Sequence, residues 1–264
     1  LEKVKDKIDQ LVTTAEIRQR RIDEGLPVPP RDFNMLFTGP PGTGKTTVAD
    51  KIGPLFAALN LTPNEEVVPI TGDQVKSTFK GNSAEKARQI FEQARGGVLF
   101  IDEAYSMKAT ENDDYGQEAI DALLPLVEDP NTVVILGGYP KELKRLLSTN
   151  PGLPSRFPES VPFTLPTKRQ RAKILTSTLE KNGYTFDQAA LKEAKDVVDV
   201  VGEEGNARDI VNGLMKQVLT AQEMRLALNP GTDLRQITEQ DLRQGALGYE
   251  TAQRFDDDIE GKGR

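Results

Sequence analysis

Phe33-Asn34-Met35-Leu36-Phe37-Thr38-Gly39-Pro40-Pro41-Gly42-Thr43-Gly44-Lys45-Thr46-Thr47 is the stretch on which the reading of this chain turns. Residues 33–38 predict a strand, residues 39–46 fit the pattern G-x-x-x-x-G-K-S/T, and a helix is predicted to follow through about Leu59. Each part has a physical reason. The glycines let the backbone curl so that successive N–H groups point at phosphate oxygens. The helix start favours an anion. Lys45 is expected to reach the β and γ phosphates of ATP, and the Thr46 hydroxyl to bind magnesium. Gly39, Pro41, Gly42, Thr43, Gly44, Lys45, Thr46 and Thr47 are the expected nucleotide contacts. A chance match somewhere in such a chain has odds on the order of one in a hundred, and a strand before and a helix after make accident the weaker reading.

Further along, Val98-Leu99-Phe100-Ile101 is an unbroken apolar run between Gly96-Gly97 and Asp102-Glu103. Such a run predicts a strand buried on both faces of a parallel sheet, delivering two carboxylates at the sheet edge where open α/β sheets bind ligands. Asp102 is expected to hold magnesium, directly or through water, and Glu103 to orient and polarise an attacking water. Alone, the pair would read equally well as an acidic helix cap; downstream of a phosphate loop it reads as catalytic.

Around these two segments, residues 1–24, 83–94, 116–127 and 141–147 have helical spacing, and 67–70, 133–136 and 161–163 read as strands. The alternation implies a parallel α/β sheet sandwiched by helices over residues 1–165. After Leu165-Pro166 the pattern becomes helical, at 168–181, 187–201, 206–228 and 238–245, with caps at Asp187 and at Thr238 with Asp241. A small helical domain is expected at 166–250, and a frayed, disordered tail at 251–264.

Composition narrows the chemistry. The 264 residues are 37% hydrophobic and 28% charged, with a net charge of −7, ordinary for a globular chain. The acidic balance argues against a partner gripped through its phosphates, so nucleic acid is not expected. Without Cys or His, disulfides, thiolate or imidazole metal sites and Ser–His triads are excluded, leaving acid–base work to carboxylates, Lys or Tyr. No apolar run of about 18 residues occurs, so no membrane span is predicted. The chain begins at Leu1 rather than Met, so nothing about a leader is drawn from its start, and a cytoplasmic location is the default expectation.

The phosphate loop as Gly-Pro-Pro-Gly-Thr-Gly-Lys-Thr (Walker A), the strand ending in Asp-Glu (Walker B) and the trailing helical domain resemble an AAA+ ATPase. Leu1-Glu2-Lys3-Val4-Lys5, Phe37-Thr38-Gly39, Asp114-Tyr115-Gly116-Gln117-Glu118-Ala119-Ile120, Gly138-Tyr139 and Asn150-Pro151-Gly152-Leu153 before Ser155-Arg156-Phe157 resemble the CbxX/CfqX group over about residues 1–250. That group includes red-type Rubisco activases and the cytosolic ATPase of type VII secretion systems, and Gly25-Leu26 with the Gly-Pro-Pro-Gly wording leans toward the secretion relatives.

The resemblance implies a homo-oligomeric ring, usually hexameric, in which Arg156 is an arginine finger reaching the γ-phosphate of a neighbouring subunit. The plainer alternative is a surface arginine paired with an acid such as Glu159. Pro154 stands where relatives often carry another basic residue, which leaves Arg156 as the single candidate. Arg208, in Gly205-Asn206-Ala207-Arg208, resembles a sensor 2 arginine; otherwise it pairs with Glu204 or Asp209. Where many AAA+ proteins place Asn or Thr as sensor 1, this chain has Gly137-Gly138-Tyr139, and Tyr139 either bonds the water or Glu103 or is a packing residue. Phe79-Lys80-Gly81 falls where the family has an aromatic pore loop that grips an extended peptide, the alternative being a buried loop Phe; the polar residues 108–114 are expected as a second pore loop, the alternative being a solvated linker. The function implied is remodelling or translocation of a protein partner through a central pore. A nucleic-acid-stimulated motor or loader and a non-hydrolysing scaffold are the alternatives, the second opposed by the intact Glu103.

Overall fold

The computed structural model describes residues 2–28, 33–76, 83–108 and 113–259. The chain divides into two compact units, Leu1–Thr164 and Leu165–Arg264. In the first, β1 (Met35–Thr38), β2 (Val67–Thr71), β3 (Val98–Asp102), β4 (Val133–Gly138) and β5 (Glu159–Pro162) form a five-stranded sheet of order β2-β3-β4-β1-β5. Every pairing is parallel. Around it run α1 (Glu2–Asp23), α2 (Lys45–Ala58), α3 (Gly72–Val75), α4 (Ser83–Ala94), α5 (Asp114–Leu126), α6 (Pro140–Leu147) and α7 (Leu153–Arg156), with a 3-10 turn at Ala104–Met107.

Side chains on successive strand residues point to opposite faces, and here both faces are covered. On β3, Leu99 and Ile101 join a core with Phe91 of α4 and Ile120 of α5. Val98 and Phe100 join another with Ile52 and Phe56 of α2 and Leu11 of α1. β4 divides the same way, with Val134 and Leu136 in the first core and Val133 and Ile135 in the second. This is why these two strands carry no polar residue before their C-terminal ends.

Several strand boundaries differ from the sequence reading by one or two residues, and two have a clear cause. β1 begins at Met35 rather than 33, because the buried Asn34 side chain takes over the bonding: its amide donates to the Val127 carbonyl at 2.9 Å and its oxygen accepts from the Val134 amide at 2.7 Å. β5 ends at Pro162, a residue without an N–H that an edge strand tolerates. Lys7 of α1 forms an ion pair with Glu159 of this edge strand.

In the second unit, α8 (Lys168–Lys181), α9 (Gln188–Val197), α10 (Met215–Leu228) and α11 (Glu239–Ile259) pack on Leu175, Leu179, Ala194, Leu214, Val218 and Leu242. Asp187 caps α9, its carboxylate accepting from the Ala190 amide at 2.8 Å. Residues β6 (Thr185–Phe186) and β7 (Gln236–Ile237) add a small parallel pair. Asp241, 1% exposed, accepts from Arg225 Nε at 2.8 Å and from the Thr238 amide at 2.8 Å, while Arg225 also donates to the Gln236 carbonyl. A buried carboxylate persists because its oxygens are satisfied this fully.

Two expectations are corrected in this unit. The single helix expected over 206–228 is a π-helical segment, Asp209–Leu214, running into α10. The wider turn seats Gly213 against the Tyr249 ring, where a Cβ would stand 2.4 Å from Cε2. Of the tail expected to fray over 251–264, residues 251–259 continue α11 to Ile259, and residues 260–264 lie outside the described residues. Tyr249 is 7% exposed and anchors the helix there, and extending a formed helix is far easier than starting one.

Candidate active site

The parallel sheet sends the C-terminal ends of β1, β3 and β4 to one edge, with β4 in the middle. The phosphate loop leaves β1, and its Gly39 amide donates to the Gly138 carbonyl of β4 at 3.0 Å. On the other side of β4, Asp102 at the end of β3 lies so close to Gly137 that a Cβ there would stand 2.8 Å from Asp102 Oδ1. Segments far apart in sequence thereby flank one strand end.

Within the loop, Gly42 (φ 68°) and Gly44 (φ 95°) adopt backbone conformations that a side chain resists. Thr43 Oγ1 donates to the Pro40 carbonyl at 2.8 Å and pins the curl. Lys45 opens α2, is 6% exposed, and turns back to donate to the Gly39 and Pro40 carbonyls at 3.2 and 3.0 Å. Thr46 and Thr47 are exposed on the same first turn, which carries no acid and no side-chain cap. A helix start of this kind leaves N–H groups and a positive dipole end to an anion. A curled amide loop, a bare helix N-terminus and a buried ammonium fit a triphosphate. Among the described residues no three Asp, Glu, His or Cys side chains group to hold a metal ion. Thr46 and Asp102 are instead oxygen donors of the kind that suit magnesium carried in with phosphates. Lys45→Ala is expected to weaken ATP binding ten- to a hundredfold, since a charge-assisted bond contributes roughly 1.5–3 kcal/mol; calorimetric titration with Mg-ATP checks this.

Glu103 follows Asp102 in a left-handed conformation (φ 48°, ψ 42°), which costs a residue with a Cβ about 1–2 kcal/mol. Its amide donates to Asp102 Oδ1 at 2.9 Å, and its carbonyl accepts from the Ser106 amide at 2.8 Å, closing the 3-10 turn. Gly72 permits this packing: a Cβ there would stand 2.7 Å from both the Glu103 carbonyl and Ser106 Oγ. The Glu103 side chain is exposed at the sheet edge, where a water could be met. Tyr139, also exposed, precedes α6, with its ring centroid 6.2 Å from that of Tyr105. Burial first, and then the charge of Glu103, pushes the Tyr105 phenol above its ordinary pKa, with Tyr139, Asp102 and Glu142 adding to the shift.

The remaining candidates stand elsewhere. Arg156 ends α7; its guanidinium donates to Glu128 and, at 2.7 Å, to the Gly152 carbonyl. The acid it pairs with is therefore Glu128, while Glu159 bonds Lys7. Arg208 belongs to the second unit, exposed at the start of the π-helical segment, with its amide capped by Asn206 Oδ1 at 2.8 Å. Phe79, Lys80 and Gly81 lie outside the described residues, as do residues 109–112 of the second polar loop. Sequence reasoning missed Tyr105 and Gly72, and did not see why residues 137 and 138 are glycines. The signal available for the last was a glycine pair ending an otherwise apolar strand.

A phosphate loop and a strand-end Asp-Glu pair flanking the central strand of a parallel sheet define a P-loop ATPase. The family model described as ATPase family associated with various cellular activities (AAA) matches residues 35–165, and the AAA lid domain model matches residues 168–252. The chain belongs to the AAA ATPases, in their CbxX/CfqX group, and hydrolyses ATP. It is 34% identical to stage V sporulation protein K of Bacillus subtilis, covering 92% of this chain and 78% of that one. It is 35% identical to CfxQ of Xanthobacter flavus, covering 92% and 80%. With the ESX-3 secretion system protein EccA3 of Mycolicibacterium smegmatis it shares 37% identity over 72% of this chain, which spans about a third (32%) of that protein. The crystal structure of the FIGL-1 AAA domain matches the fold with a TM-score of 0.65 at 20% identity, over 94% of this chain and 80% of that one. Among the described residues no helix is long and apolar enough to cross a membrane.

Proposed function

We propose that this ATPase assembles as a homo-oligomeric ring, hexameric as the family resemblance implies, and uses hydrolysis to remodel or translocate a protein partner through a central pore in the cytoplasm. Type VII secretion and Rubisco reactivation are the settings the resemblance implies. The likeness to EccA3, by name a secretion system protein, favours the first.

In this reading Lys45 exchanges the carbonyls of Gly39 and Pro40 for phosphate oxygens, a stronger charge-assisted partner. Thr46 and Asp102 would hold magnesium, which when bound neutralises charge on the β and γ phosphates. Glu103 orients a water for in-line attack on the γ-phosphorus; a new P–O bond forms as the bond to ADP breaks. Arg156 stabilises the charge of that transition state on a neighbouring subunit, and Arg208 keeps the sensor role the resemblance implies. Residues 79–81 grip the partner by apolar contact, which needs no particular partner sequence.

The observation that carries the ring is how Arg156 is held. Its carboxylate partner, Glu128, has a side chain 53% exposed. Exposed pairs of this kind contribute about 0–1 kcal/mol, so handing the guanidinium to a neighbour's phosphate costs little. Light scattering with magnesium and a slowly hydrolysed ATP analogue, against nucleotide-free protein, tests this. Nucleotide-driven assembly is expected, and a strict monomer in both conditions overturns the ring.

A further inference from the structure

The C-terminal end of β4 has no side chain to offer the site, and the structure gives the reason. At Gly137 a Cβ would meet Asp102 Oδ1 at 2.8 Å and the Phe100 ring at 3.1 Å. At Gly138 it would meet the Tyr105 ring, Cδ1 at 3.0 Å and Cε1 at 3.2 Å. A polar residue on β4 is thus excluded by what already stands there, and at position 138 the occupant is Tyr105. That residue is fixed from below. Ala104 and Met107 of its 3-10 turn are buried in the core, and the turn starts on the left-handed Glu103 itself. Among the described residues, neither the Glu103 carboxylate nor the Tyr105 hydroxyl has a hydrogen-bond partner. The acid expected to aim a water is an exposed side chain that no neighbour holds in place.

We propose that Tyr105, whose ring stands against the strand end that has no side chain of its own, is a positioning residue for hydrolysis: its hydroxyl donates to the Glu103 carboxylate and aims it at the attacking water. This rests on reading Glu103 as the water-orienting acid. Tyr139, the other phenol of the pair, is the competing candidate for the same task, and lines a shallow pocket with Tyr105, Pro140, Lys141 and Glu142.

The test is steady-state Mg-ATP hydrolysis by the parent protein, Tyr105→Phe, Tyr139→Phe, Glu103→Gln and the double variant Glu103→Gln/Tyr105→Phe. Phenylalanine keeps the ring that packs on Gly138, so Tyr105→Phe is expected to melt with the parent. Its kcat is expected to fall tenfold or more while KM for ATP stays within twofold, a split that loss of packing would not give. Because Tyr105 acts through Glu103, the double variant is expected to be no more than twofold slower than Glu103→Gln alone. A kcat for Tyr105→Phe within twofold of the parent overturns the proposal, as does a loss that appears in Tyr139→Phe instead or one that multiplies fully in the double variant. Parent-like turnover of Glu103→Gln overturns the underlying reading, and the proposal with it. A dead Glu103→Gln beside an active Tyr105→Phe overturns the proposal alone.

Discussion

Replacing Glu103 by Gln is expected to leave Mg-ATP binding near the parent level and to lower turnover by roughly 10²–10⁴-fold. The amide is isosteric and suits the same exposed position. The backbone features that shape this corner, the left-handed φ and the bonds from the Glu103 amide and to its carbonyl, do not involve the side-chain carboxylate. What is lost is the charge that polarises water, an interaction made in the transition state and absent from nucleotide binding. Phosphate release in single-turnover experiments, set beside calorimetric affinity for Mg-ATP, separates the two. Turnover equal to the parent would refute the assignment of Glu103.

Arg156→Ala is expected to cost turnover about 10³-fold or more, the range of an arginine finger, with ATP affinity kept and folding stability little changed. The stability expectation follows from exposure: the Glu128 carboxylate left behind is half in water, so no buried charge is stranded. The trans assignment has its own signature. Mixing Arg156→Ala with Lys45→Ala, at an ATP concentration too low to load the Lys45→Ala chain, is expected to restore part of the turnover, because one chain brings an intact phosphate loop and the other an intact finger. No rescue in assembled mixtures would place Arg156 in its own subunit's site or outside catalysis. Turnover within twofold of the parent for Arg156→Ala alone would remove it from the reaction.

Much of the first unit was legible because burial on both faces leaves an unmistakable trace. The runs 98–101 and 133–136 can hardly be anything but central strands, and the ends of α4 and α8 fall where periodicity predicts. The start of β1 was not legible, since it depends on Asn34 meeting Val134, a hundred residues away. Nor were β6 and β7, two residues each, which exist because Arg225 and Gln222 gather the Gln236 carbonyl into a buried network. The continuation of α11 over residues 251–259 was missed for a related reason: composition suggests disorder there, but Tyr249 anchors the helix on Gly213.

The chain's own residues determine the class of chemistry. A glycine-bearing loop ending in Lys45-Thr46, an apolar strand ending in Asp102-Glu103, and the lack of His and Cys leave phosphate chemistry run by carboxylates and an ammonium, because those patterns are local and each has its own physical demand. Tertiary structure decided what surrounds them: that β4 lies between the two motifs, that Gly137 and Gly138 are bare because Asp102 and Tyr105 fill their space, and that Arg156 rests on Glu128. These are contacts between distant segments, set by strand order and packing, and no local pattern encodes which side chain will occupy another residue's missing Cβ.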